Sequence, residues 1–174
     1  LATKDVETGE EQPEHLVPDR NVYNINANYD GINKLKVHMN LTYVNKTGTA
    51  QNELYFHLYP NMFSSKERLP FFKQDFYRAF PEGYSFGGIN IIEVNQDNKD
   101  VTWHLMEDDQ ILRVALFKSV APEEVSNIHM EFQLTVPKAR FRFGYQTFGN
   151  DKITMSLGNW YPILAVFKDG KWSL

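Results

Sequence analysis

Apolar and polar residues alternate along most of this chain with a period of two. Tyr23, Ile25, Ala27 and Tyr29 alternate with Asn24, Asn26, Asn28 and Asp30, and after a turn at Asp30-Gly31 the sequence Leu35, Val37, Met39, Leu41, Tyr43 continues the rhythm. Successive side chains of a strand point to opposite faces, so each segment predicts a strand with one buried and one wet face. Asn45 to Gly48 turns the chain into Leu54, Phe56 and Leu58, which Pro60 and Asn61 stop. Period two resumes at Ile89, Ile91 and Val94, at Val101, Trp103 and Leu105, at Leu112, Val114 and Leu116, and at Ile128, Met130, Phe132, Leu134 and Val136. Apolar stretches at 153–157 and 163–167 complete about eight or nine short strands separated by polar turns, the pattern of an all-β, antiparallel β-sandwich.

One segment breaks the rhythm. Between residues 62 and 88, eight aromatic residues lie among prolines and glycines, with Phe72, Phe76 and Phe80 at i, i+4 and i+8 after Pro70. This spacing predicts one short helix near residues 71–80 whose aromatic stripe faces the sheets. Core packing is the preferred reading of the stripe, and a ligand-facing or membrane-facing patch is the alternative.

Charge divides the chain unevenly. The whole sequence of 174 residues has a formal charge of −4, and residues 1–20 alone carry that excess: Asp5, Glu7, Glu10, Glu11, Glu14 and Asp19 against Lys4 and Arg20. That stretch has no aromatic residue and no periodicity, so it reads as an acidic disordered tail or linker before a β-sandwich domain at 21–174. The chain opens on Leu1 without a Met, which leads us to expect that a leader has been removed. An acidic lead-in suits a tether, favouring an extracellular or membrane-tethered location over a cytoplasmic one. A neutral body argues against nucleic acid as a partner, because that grip needs clustered Lys and Arg. Arg140 and Arg142 alternate with Phe141 and Phe143 and read as strand-edge arginines.

Catalytic chemistry is sparse. There is no cysteine, hence no thiol nucleophile and no thiolate ligand. His15 lies in the tail, while His38, His57, His104 and His129 fall on the polar phase of their strands, and no two histidines flank a Glu at helical spacing as H-E-x-x-H requires. Only a cross-strand arrangement of His38 and His57 would offer two imidazoles to a metal. Glu107, Asp108 and Asp109 read as a solvated turn. No nucleophile elbow or phosphate-binding loop is present. The residues themselves assign no catalytic group and no metal ligand.

The succession YNINANYD (23–30), LTYVNKTGT (41–49), LYFHLYPNMF (54–63), GGINIIEV (87–94), RFGYQTFG (142–149) and LGNWYPILAVFKDGKW (157–172) resembles the N-terminal domain of zinc aminopeptidases of the aminopeptidase N (gluzincin) family, above all its bacterial members. FHLYPN and WYP…DGKW are the more specific segments. The resemblance implies a saddle-shaped sandwich, non-catalytic in itself, that packs on a zinc-bearing catalytic domain, shapes its peptide-binding cleft and contains none of the family's H-E-x-x-H or G-x-M-E-N machinery. Met106-Glu107 and Met130-Glu131 are not followed by Asn, so no catalytic residue carries over. The likeness places Asn159, Trp160 and Tyr161 on the substrate side, against a plainer reading as an aromatic cluster closing the core. It further implies zinc in the absent catalytic domain and none in this chain, that domain and a peptide substrate as partners, a chain truncated near Leu174, and an exposed sheet edge through which the fragment would form a homodimer. A free-standing carbohydrate- or protein-binding sandwich, using Trp103, Trp160 or Trp172 as a platform, is the alternative function.

Overall fold

In a computed structural model the described residues are 18–149 and 152–174, and the acidic tail lies largely outside them. Thirteen strands form the body: β1 (Val22–Tyr29), β2 (Lys34–Val44), β3 (Gln51–His57), β4 (Gly88–Gln96), β5 (Lys99–Asp100), β6 (Thr102–Met106), β7 (Ile111–Val120), β8 (Val125–Thr135), β9 (Phe143–Phe148), β10 (Lys152–Leu157), β11 (Ile163–Leu164), β12 (Val166–Lys168) and β13 (Lys171–Ser173). Among the described residues a single α-helix, α1 (Lys73–Ala79), follows two 3-10 turns at Tyr59–Phe63 and Lys66–Arg68.

The strands build an all-β antiparallel sandwich. One sheet has the order β1-β2-β8-β4-β5, and the sheet packed against it has the order β11-β3-β7-β6. Hairpins β9-β10 and β12-β13 stand beside them. The alternation settles which residues meet: Val37, Met39 and Leu41 of β2, Ile128, Met130, Phe132 and Leu134 of β8, Leu54 and Phe56 of β3, and Leu112 and Val114 of β7 are fully buried between the sheets. In β4 a bulge between Ile91 and Glu93 lets Ile92 point outward and returns Val94 to the core. At the end of β1 the alternation outruns the core, and Tyr29 is exposed with its hydroxyl donated to the Ile32 carbonyl at 2.9 Å.

Among the described residues, Tyr43 is a flaw in the interior. Its side chain is 2% exposed, yet its hydroxyl has no hydrogen-bond partner among the described residues, and burial pushes its pKa up to about 12.

The helix is present but its stripe is corrected. Phe72 stands before the helix in an extended conformation (φ −68°, ψ 151°), so helical spacing does not govern it, and its ring is 78% exposed. Phe71 turns inward instead, edge-on to Phe141 at 4.6 Å and near Phe63 and Phe80 at 6.0 Å each. Phe80 is buried and Phe76 half-buried, as the spacing predicts. Asp75 in the first turn and Arg78 in the last complement the helix dipole. No helix among the described residues is long and apolar enough to cross a membrane.

Candidate substrate-side site

Asn159, Trp160 and Tyr161 occupy the turn that carries the chain from β10 to β11. The turn is pinned where Gly158 donates its N–H to the Arg142 carbonyl at 2.7 Å. A Cβ on residue 158 would lie 2.9 Å from that same oxygen, so the approach needs glycine. Asn159 follows with φ +53° in the left-handed region, which Asn tolerates better than most residues, and its side chain is exposed. Trp160 and Tyr161 fold back together, edge-to-face at 5.7 Å, and pack against the core. Tyr161 meets Tyr23 of β1 edge-on at 5.4 Å, and the Tyr23 hydroxyl accepts the Leu164 N–H at 3.1 Å. Desolvation raises the Tyr23 pKa, so the phenol stays neutral and the link between the two sheets holds.

The turn therefore presents Asn159 to solvent and uses the two aromatic rings to close the open edge of the sandwich. None of these three residues lines the grooves beside α1, the groove beside Trp172 or the cleft between Tyr23 and Phe167.

The histidines are dispersed. His38 is in β2 of the first sheet and His57 in β3 of the second, so the cross-strand pair is not formed. His38 instead stacks with His129 at 6.1 Å, and its Nδ1 lies 3.8 Å from Glu131 Oε2. Glu131 accepts from Lys36 Nζ at 2.8 Å, and this hydrogen bond, aided by the charge of Lys36 and the two imidazoles, holds its carboxyl below the usual range. His57 stacks on Tyr59 at 5.2 Å. Among the described residues no cluster of three or more His, Asp or Glu is placed to hold a metal. The acidic turn at 107–109 is tied down from outside: Arg68 donates to the Asp108 carbonyl at 2.9 Å and Asn61 to the Asp109 carbonyl at 2.6 Å.

Two groups escape a reading by periodicity. Asn61 is buried, and besides reaching Asp109 its Oδ1 accepts the Ile89 N–H at 2.8 Å, so one amide joins the turn after β3 to β4 and to the β6-β7 turn. Its place directly after the strand-stopping Pro60 was the only signal. On the outer face of the second sheet, Glu53 accepts from the Tyr55 hydroxyl at 2.7 Å and from Arg113 Nε and Nη2 at 2.8 and 2.7 Å. These hydrogen bonds, the Tyr55 one foremost, hold the Glu53 carboxyl low. Glu53 and Tyr55 share a face by their spacing, but Arg113 joins them only through the pairing of Tyr55 with Arg113 in the β3-β7 register. Trp172 packs 6.1 Å from Tyr55 and borders a groove of about 430 Å³ together with Glu53 and Asn52.

No protein-family model matches the chain, and no curated protein matches it. Among solved structures it is similar to the M1 zinc metallopeptidase from Deinococcus radiodurans (15% identity, TM-score 0.45, covering 71% of this chain and 22% of that one). A mutant of that enzyme bound to a Tyr-Ser-Ala substrate gives 15% identity and a TM-score of 0.45, with 71% of this chain and 23% of that one covered. A two-domain M1 zinc metallopeptidase mutant bound to L-tryptophan gives 13% identity and a TM-score of 0.43, with coverages of 66% and 19%. The chain thus matches about a fifth of the length of each of these proteins.

Proposed function

We propose that this chain is a non-catalytic N-terminal domain of a zinc-dependent aminopeptidase, a part that packs on the catalytic domain and helps shape its peptide-binding cleft. The observation that carries the reading joins sequence to fold: the two segments with the most specific resemblance are neighbours. Strand β11, from WYPIL, pairs with β3, from LYFHLYPN, with Ile163 opposite His57 and Leu164 opposite Phe56. Trp172 of the DGKW segment packs on Tyr55 of the same strand. In this reading the exposed Asn159 is the residue the turn offers to a substrate's end, Trp160 and Tyr161 hold it in place, and zinc and the water-activating Glu belong to the catalytic domain. The decisive test is the gene beyond the codon for Leu174. An H-E-x-x-H with a later Glu is expected in the same open reading frame, and a native gene without one overturns the proposal.

A second reading has one observation in its favour. Trp172 borders a groove beside the Glu53-Arg113 pair and Asn52, an aromatic wall next to fixed planar polar groups that suits a sugar ring. Titration of the purified chain with soluble oligosaccharides, followed by tryptophan fluorescence, distinguishes the two. Saturable quenching that Trp172→Ala abolishes would put the binding module first, and a flat titration removes it.

A further inference from the structure

The surface around α1 combines features that the peptidase reading does not use. Phe72, just before the short helix, and Tyr77 within it stand out 78% and 77% exposed, while Phe71, Phe76 and Phe80 anchor the segment to the core. These two rings are the most exposed large hydrophobic side chains among the described residues. Cations border them: Lys66, Lys73, Arg78 and Arg140 are exposed along the two flanks and Arg142 lies exposed beyond Phe141, against Glu67, Glu82 near Arg140 and Asp75, which is 3.8 Å from Arg78. Lys66 lies over the Phe76 ring at 4.8 Å, and the Arg142 guanidinium is 5.9 Å from the Phe141 ring. A groove of about 590 Å³ bordered by Lys66, Lys73 and Tyr77 runs along one flank, and one of about 430 Å³ bordered by Phe72, Arg78 and Arg140 along the other.

We propose that this face docks onto an anionic lipid surface, with the Phe72 and Tyr77 rings entering the headgroup region and the surrounding Lys and Arg side chains holding lipid phosphates. Three arguments select that partner. Water-exposed aromatic rings gain free energy at the interface between headgroups and acyl chains, where Tyr keeps its hydroxyl hydrated. The excess of cations matches a negative surface, and each Lys or Arg near such a membrane is worth about fivefold in affinity. The rings also project beyond their surroundings, so a fluid partner that yields around them suits the shape better than a rigid protein face, which would need matching pockets. The proposal rests on residues that the peptidase reading does not use and would set the domain close to a membrane.

Flotation of the purified chain with vesicles tests it, using phosphatidylcholine alone and equal parts phosphatidylcholine and phosphatidylglycerol. Binding to the anionic vesicles only, weakened by high salt, is expected. The exposed pair Phe72→Ser with Tyr77→Ser should lower it by about tenfold or more without shifting the melting temperature. Lys73→Glu with Arg140→Glu should do the same, whereas Phe117→Ser, which removes an exposed ring beside Lys99, should leave binding unchanged. No binding to anionic vesicles, equal binding to neutral ones, or binding indifferent to Phe72 and Tyr77 overturns the proposal. The first of these outcomes would turn attention to an acidic protein as the occupant of the face.

Discussion

The paired strands β2 and β8 and the crossover from residue 59 to 88 are both rich in large apolar side chains, yet they bury them by different rules. Along β2 and β8 eleven residues pair in unbroken register, from Lys34 opposite Thr135 to Val44 opposite Val125, and every second side chain is driven inward. Inside or outside is decided there by the parity of the position. In the crossover no ladder imposes a parity, so each aromatic is placed by the contact it finds. Phe71 is inward and Phe72 outward because Phe71 can reach Phe141, Phe63 and Phe80. A periodic region is thus robust in what it buries, and an aperiodic one can leave rings exposed next to buried ones at no cost to the fold.

Substitutions can sharpen or break that contrast. The largest effect is expected from Phe132→Ala in β8, a fully buried core ring, which should destabilise by about 3–5 kcal/mol in chemical denaturation. A loss below 1 kcal/mol would mean that the sheets do not pack as described. Phe71→Ala should cost somewhat less, about 2–3 kcal/mol, since its ring is only partly buried. Next comes Asn61→Ala, which leaves the buried Ile89 N–H and the Asp109 carbonyl without partners and should cost about 1–3 kcal/mol. If it costs nothing, the crossover is not held by this amide.

Tyr43→Phe probes the flaw in the periodic region. Removing a hydroxyl that is buried without a partner should leave stability unchanged or raise it by up to about 1 kcal/mol. It should also change the alkaline limb. The unfolded phenol ionises near its ordinary pKa of 10 while the folded one holds its proton to about 12. Between those values the unfolded state binds fewer protons, so stability falls as pH rises, by on the order of 2–3 kcal/mol at most. The Phe variant should lack this component in denaturation curves across that range. The smallest effect belongs to Phe72→Ala, within about 0.5 kcal/mol of wild type despite the loss of a whole ring.

The same contrast explains what the residues alone disclosed. The long strands β2, β3, β4, β7 and β8 were legible because alternation and burial largely coincide along them, and the bulge in β4 shows as the step from Ile91 to Val94. By contrast, Tyr29 of β1 and Leu105 of β6 alternate as if inward yet are exposed, and the two-residue β5 has no period at all. Strand β9 was not legible, because Gly144 and the preceding Arg140 and Arg142 mask its alternation; the arginines lie before the strand and not on its edge. Strand β13 is three residues long and offers no period to detect. At the turn between β10 and β11, Trp160 and Tyr161 could be named but not oriented, since their direction depends on Tyr23, more than a hundred residues away. Arg113 beside Glu53 and the single-amide junction at Asn61 are products of register and crossover geometry, which no local pattern encodes.

The pairing of β2 with β8 also sets a timetable for the chain as it is made. Val44 ends β2 and Val125 opens β8, so the hairpin of β1 and β2 emerges from the ribosome about 80 residues before its third strand, a wait of about 4–16 s at ordinary synthesis rates. During that interval the inner edge of β2 has no partner and the apolar face of the hairpin has no second sheet to cover it. Non-local strand pairing of this kind is slow in itself. The nascent protein therefore passes through a stage in which its most regular element is its most vulnerable to aggregation, and a holding chaperone would have its longest opportunity between the synthesis of Val44 and that of Thr135.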